Sequence, residues 1–276
     1  MISPRLCVLG VLLLSTGTLS AATPDFNNPQ VIKRYAELVY NIATTISSHH
    51  DVLYNVPADK VSKCWQHGTK SQHAVGLTIR KFVFDHCYEP NGRRLPVLNG
   101  RVVVREINQD VSLVRSENFE MRFQRSNRGY TVNANLKVTR IGNNDPVLTN
   151  VDNALFTYNL RNETWEHTIT HLVYSNSFPY TDKVETAENF SIALSGKPYG
   201  TLSAETIEPI ALGTGNDHGQ IISGKFSLLQ GKNKAVITFI APREILVERP
   251  GRKPMKVDWY GDPTIIYTKI PYELKH

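Results

Sequence analysis

Two stretches of the chain carry residues whose types could do chemistry. The first is His167-Thr-Ile-Thr-His171, with two imidazoles four residues apart. An imidazole is the usual general base near neutral pH and a common metal ligand. On a strand both would point to the same side, with Ile169 between them. Their Cβ atoms would then lie about 13 Å apart, too far for one ion with ligand bonds near 2 Å. A helix would bring them together, but Thr168, Ile169 and Thr170 disfavour one. No metal site is therefore expected. The second stretch is Gly213-Thr-Gly-Asn-Asp-His-Gly219, which sets the carboxylate of Asp217 beside His218. It does not follow a clear strand and open a helix, so it is not a phosphate-binding fingerprint. Asn216 and Asp217 offer oxygens, but without the spaced carboxylates of a calcium loop. The candidate catalytic residues are thus His167, His171, Asp217 and His218. No G-x-S-x-G, HExxH or dinucleotide fingerprint is present, and no cofactor is expected.

Cys64 and Cys87 bracket Trp65 to His86, which reads as a loop followed by a strand. Their wide spacing is unlike a CxxC redox pair, and a structural disulfide is expected in an oxidising compartment. His67, His73 and His86 flank these cysteines, but nothing in the spacing requires them to cluster. The remaining cysteine, Cys7, lies at the start of an apolar run. Arg5, the run Leu6 to Leu14, and Ser20 and Ala22 at the −3 and −1 positions read as a secretory signal peptide over residues 1–22. The expectation is an exported protein, periplasmic or secreted, with one β-rich domain over 23–276. A weak seam could lie around Ser175 to Glu188 or Thr206 to Gly219.

The elements that must position these residues follow from hydrophobic period. Asn28 is a good N-cap and Pro29 suits the first helical position. Val31, Tyr35, Leu38, Val39, Ile42 and Ile46 then form one apolar stripe at helical spacing. Lys33, Arg34, Glu37 and Asn41 fall on the other face, and the helix should end near Ser47 to His50. After it the period becomes 2. Strands are expected at Leu77 to Asp85, Arg101 to Ile107 (after an Asn99-Gly100 turn), Phe119 to Phe123, Tyr130 to Val138, Trp165 to Tyr174 and Phe190 to Leu194. Others are expected at Ile221 to Leu229, Ala235 to Ala241, Glu244 to Val247 and Thr264 to Ile270. Turns rich in Gly, Asn and Pro separate them. The fold class expected is mainly β: a long curved antiparallel meander or partly open barrel with one N-terminal amphipathic helix.

The chain carries a formal charge of +6, and removal of Arg5 with the signal peptide would leave +5. The excess is diffuse, with local groups at Arg93-Arg94, Lys232 with Lys234, and Arg249, Arg252, Lys253 and Lys256. Attraction to a peripheral anionic surface is compatible with this balance. No aromatic-interleaved basic stripe or motif points to nucleic acid. No apolar run after the first reaches the ~18–20 residues of a transmembrane helix. Asn162-Glu-Thr164 and Asn189-Phe-Ser191 match the N-glycosylation pattern.

Two further stretches carry a resemblance. One is Cys64 followed by Phe84-Asp-His-Cys-Tyr-Glu-Pro-Asn-Gly92 and Leu98-Asn-Gly-Arg-Val-Val-Val104. The other is Ile222-Ser-Gly-Lys-Phe-Ser-Leu-Leu-Gln-Gly231, then Ala235-Val-Ile-Thr-Phe239 and Val257-Asp-Trp259. Together they resemble a loose group of uncharacterised bacterial exported β-rich proteins, in outline from Cys64 to Trp259. That group often closes with acidic Asp-Gly repeats, which Val257 to Asp262 does not reproduce. The resemblance implies an envelope location and antiparallel architecture, and supplies no activity. The functional expectation is a non-catalytic binding or envelope-associated protein, holding an apolar small molecule or lipid. The alternatives are a structural or protein-interaction module of the envelope, and a periplasmic hydrolase.

Overall fold

A computed structural model describes residues 26–259, apart from 53–60, 65–66, 89–95, 124–127, 141–146, 151, 161–162, 180, 182, 198 and 215–218. The expected signal peptide, Asp217, His218, Asn162 and the strand expected at Thr264 to Ile270 lie outside the described residues.

The helix forms where its cap predicts. Oδ1 of Asn28 accepts from the Gln30 N–H at 2.9 Å, and the Asn28 carbonyl accepts from Val31 and Ile32. Pro29 then opens α1 (Pro29–Val52). Its expected stripe is buried, with Val31 only partly so. The expected polar face is not a solvated face: Lys33, Arg34 and Glu37 are buried too. The reason is the sheet, which meets the helix from two separated groups of strands.

Those strands are β1 (Val61–Lys63), β2 (Thr69–Val75), β3 (Ile79–Tyr88), β4 (Pro96–Glu106), β5 (Val111–Phe123), β6 (Arg128–Thr139), β7 (Val147–Asn150), β8 (Ala154–Leu160), β9 (Glu163–Ser177), β10 (Val184–Gly196), β11 (Gly200–Gly213), β12 (Ile221–Gln230), β13 (Asn233–Ala241), β14 (Glu244–Glu248) and β15 (Met255–Asp258). All pair antiparallel in chain order as one meander. The exception is β7 and β8, which lie end to end between β6 and β9 as one interrupted strand. The sheet curls into a partial ring and does not close as a barrel. The helix packs against β9, β10 and β11 on one side and β14 and β15 on the other.

The curl has a visible cause. Bulges interrupt the register of β3 between Phe84 and Cys87 and of β5 between Ser116 and Glu120, and Gly100 of β4 lies opposite the β5 bulge. Each bulge holds a residue in the left-handed region, His86 at φ 47° and Asn118 at φ 47°, and Gly100 facing the second has φ 101°. A bulge bends its strand and frees an N–H. Asn99 Oδ1 accepts from the His86 N–H, and Asn133 Oδ1 from the Asn118 N–H, each at 2.7 Å. Farther along, Asn150 Oδ1 accepts from Leu172 N–H at 2.6 Å and Thr206 Oγ1 from Phe190 N–H at 2.9 Å, beside bulges in β9 and β11.

Three local expectations change. Asn99-Gly100 is not a turn before a strand but lies inside β4, where Gly100 faces the bulge of β5. The segment expected as a loop after Cys64 contains the strand β2 from Thr69, and Gly76-Leu77-Thr78 is the turn of a hairpin with β3. The helix runs to Val52, beyond its expected end. The disulfide Cys64–Cys87 is present, with Cα atoms 5.4 Å apart, and ties the entry of β2 to the end of β3.

Candidate functional site

Alternation along the strands lines the inside of the ring with one apolar cluster, from Phe82 and Phe84 on β3 to Val257 and Trp259 at the far end. α1 reaches two polar groups of side chains within it.

The first is centred on His167. Its position on β9 is in phase with Ile169, so both point inward. His171 does not follow them. A bulge between Ile169 and His171 shifts the phase, so Leu172 and Tyr174 take the inner positions. His171 is exposed, with Nε2 3.1 Å from Ser191 Oγ. The two imidazoles therefore lie on opposite faces, which corrects the same-side expectation. Nδ1 of His167 is in hydrogen-bond contact with the hydroxyl of Tyr199, and the two rings stack at 5.6 Å. Tyr35 of α1 meets Tyr199 edge to face at 5.7 Å. Gln230 Nε2 donates to the Tyr199 carbonyl at 2.9 Å. Gly196 makes room: a Cβ there would stand 2.7 Å from Tyr199 Oη and 2.8 Å from the Glu166 carbonyl. Burial pulls the His167 pKa down to about 4, so the ring is neutral at pH 7. Burial also raises both tyrosines, which stay protonated.

The second group is centred on Glu188 of β10. Tyr40 of α1 donates to Oε2 at 2.6 Å and Tyr174 of β9 to Oε1 at 2.9 Å. Burial raises the carboxyl pKa, and the two phenol donors offset part of that rise. Around it stands a closed circuit of aromatic rings. Tyr40 meets Phe190 at 5.9 Å, Phe190 meets Phe226 at 5.4 Å, and Phe226 meets Phe239 at 6.1 Å. Phe239 meets Trp259 at 4.9 Å, and Trp259 returns to Tyr40 at 6.1 Å.

Of the four residues expected to do chemistry, only His167 and His171 are described, and the fold separates them. Glu188, Tyr40, Tyr174 and Tyr199 went unmarked in the sequence. Glu188 had a signal: it continues the alternation Phe190, Ile192, Leu194 one step back, which places a carboxyl on the buried face. Among the described residues, no group of three or more His, Cys, Asp or Glu could hold a metal ion. Among the described residues, no helix is long and apolar enough to cross a membrane. Comparison with protein-family models, curated proteins and solved structures finds no match for this chain.

Proposed function

We propose that the protein is an exported, non-catalytic binding protein of the bacterial envelope that holds an apolar small molecule or lipid inside its open ring. One observation carries the reading. The apolar inner face is continuous, the ring stays open, and the only polar groups described above on that face, around His167 and Glu188, are both reached by α1. Apolar walls with a few converging polar groups are the usual make-up of a small-molecule site. The groups suit binding better than reaction. His167 is a neutral imidazole among aromatic rings, and Glu188 is already engaged by two phenols.

A second reading rests on the ring's two ends. Among the described residues, β1 and β15 each have a single neighbour in the sheet, and Val61 and Met255 on them are exposed. Open edges can accept a partner's strand, as an interaction module of the envelope would. The hydrolase alternative draws no support from the opposed placement of His167 and His171.

Native mass spectrometry of the protein exported to a bacterial periplasm and purified without detergent tests the first reading. The expected result is a reproducible extra mass that leaves on collisional activation. A bare polypeptide mass, with no adduct after incubation with a panel of fatty acids and phospholipids, overturns it.

A further inference from the structure

We infer that the β2–β3 and β4–β5 hairpin tips form a docking surface for an anionic lipid bilayer. Turns are normally polar or small, yet the tip residue of Gly76-Leu77-Thr78 is a leucine 99 % exposed. Val75 and Ile107 beside it are 46 % and 50 % exposed. The two tips are joined, because the Glu106 N–H donates to the Thr78 carbonyl at 2.8 Å. Single exposed apolar residues are ordinary on a protein surface; three on two joined tips form a patch.

Register places cations next to that patch. Val75 pairs with Ile79, Ile79 with Arg105, Arg105 with Leu113, and Leu113 with Lys137. All five lie on the outer face, opposite the buried Phe82, Val102, Val114 and Leu136. One row farther from the tips, His73 pairs with Lys81 and Val103 with Arg115 on the same face. Across segments 73–81, 105–113 and 137–140 there are five Lys or Arg residues against two carboxylates, Glu106 and Asp110. Arg80 is paired with Glu106 at 2.6 Å, and Arg115, just outside these segments, with Glu117 at 3.1 Å. The arrangement is apolar at the tip and cationic beside and behind it. A surface of that kind sinks its apolar side chains to the acyl boundary while Lys and Arg meet anionic headgroups. Charge complementarity is what selects a membrane here over an acidic protein: Leu77 and Ile107 project from the two hairpin ends and Val75 from the last position of β2, beside the cations of the outer face.

The test is flotation of the full mature protein with vesicles of phosphatidylglycerol and phosphatidylethanolamine, against vesicles of phosphatidylcholine alone. Binding to the anionic vesicles is expected, weakening at least tenfold between 50 and about 500 mM salt as screening sets in. The double variant Leu77→Ser/Ile107→Ser should lose at least tenfold, and Lys81→Glu/Arg105→Glu should lose the preference for anionic lipid. Ile207→Ser, at another exposed apolar residue on β11, serves as a control and should bind as the native protein does. Equal binding to both vesicle types, no binding to either, or equal loss in the Ile207 control overturns the proposal. Circular dichroism of each variant separates lost binding from lost folding. None of these outcomes depends on whether the ring holds a ligand.

Discussion

The phenol of Tyr40 donates to Oε2 of Glu188 over 2.6 Å, a bond spanning 148 residues of sequence that ties the only helix described to the middle of the sheet. Tyr174 holds the other carboxyl oxygen, so Tyr40→Phe removes one donor and leaves a buried acceptor short. Hydrogen bonds to such groups contribute about 1.5–3 kcal/mol. We expect Tyr40→Phe to lower unfolding free energy by about 2 kcal/mol in urea titrations at pH 7. The Tyr40 ring would still meet Phe190 and Trp259, so the loss belongs to the hydroxyl.

Glu188 and its glutamine variant separate charge from shape. Burial raises the folded-state pKa of Glu188 above its unfolded value. The unfolded chain therefore ionises first as pH rises. Stability is fully present below the unfolded pKa, near 4.5, and is lost as pH climbs from there through the folded pKa. Glu188→Gln cannot ionise. The difference between variant and native stability should shift toward the variant across that window and be flat below it. Parallel curves over the whole range would show that Glu188 does not titrate on unfolding.

His167 should act in the opposite direction. Its pKa falls from 6.5 to about 4 on burial. The unfolded chain takes up a proton near pH 6.5 while the folded chain resists until about 4. Stability is therefore lost as pH falls through that window, by about 3 kcal/mol in total. Removing the imidazole in His167→Leu should abolish this part of the slope, whatever the variant's stability at pH 7. Denaturant melts at half-unit steps from pH 7.5 to 4 would show it. An unchanged slope would place the acid sensitivity elsewhere.

The sequence made the helix, the disulfide and the antiparallel meander legible, because caps, cysteine spacing and period-2 alternation are local signals. It misplaced what bulges decide. His167 and His171 share a phase in the sequence, and one bulge between Ile169 and His171 puts them on opposite faces. Gly100 looks like a turn for the same reason that it fits opposite the β5 bulge: both need a residue with positive φ. Lys33, Arg34 and Glu37 look solvated because helical periodicity sees one face at a time. Only the curl of β9 to β15 around α1 reveals that both faces are covered. The polar groups inside the ring were unreadable because Tyr40 and Glu188 meet only after that curl forms.

The Cys64–Cys87 bond, at a sequence separation of 23, closes a loop that contains β2 and β3 as far as Cys87. On the chain-entropy account such a loop stabilises by about 3 kcal/mol. The double variant Cys64→Ser/Cys87→Ser should lose that amount in denaturant titration. Because both hairpin strands remain paired, far-ultraviolet circular dichroism should keep its native shape.

Gly100 and Gly200 offer a paired test of how the ring is bent. Both have positive φ, at 101° and 75°. An alanine at Gly200 meets nothing within 4 Å, so its cost is the left-handed backbone alone, about 1 kcal/mol. At Gly100 the added Cβ would stand 2.2 Å from the Asn118 carbonyl oxygen. That oxygen belongs to the bulge of the next strand, which Asn133 holds in place, and it cannot move aside without opening the β4–β5 pairing. Gly100→Ala should therefore cost about 3 kcal/mol or more. Hydrogen exchange should locate the damage, with protection falling on both sides of Asn118 and staying intact on β12 to β14. Equal, small costs at the two glycines would mean that the β5 bulge yields to a side chain at Gly100, and that the bend of the ring does not depend on the close approach of the two.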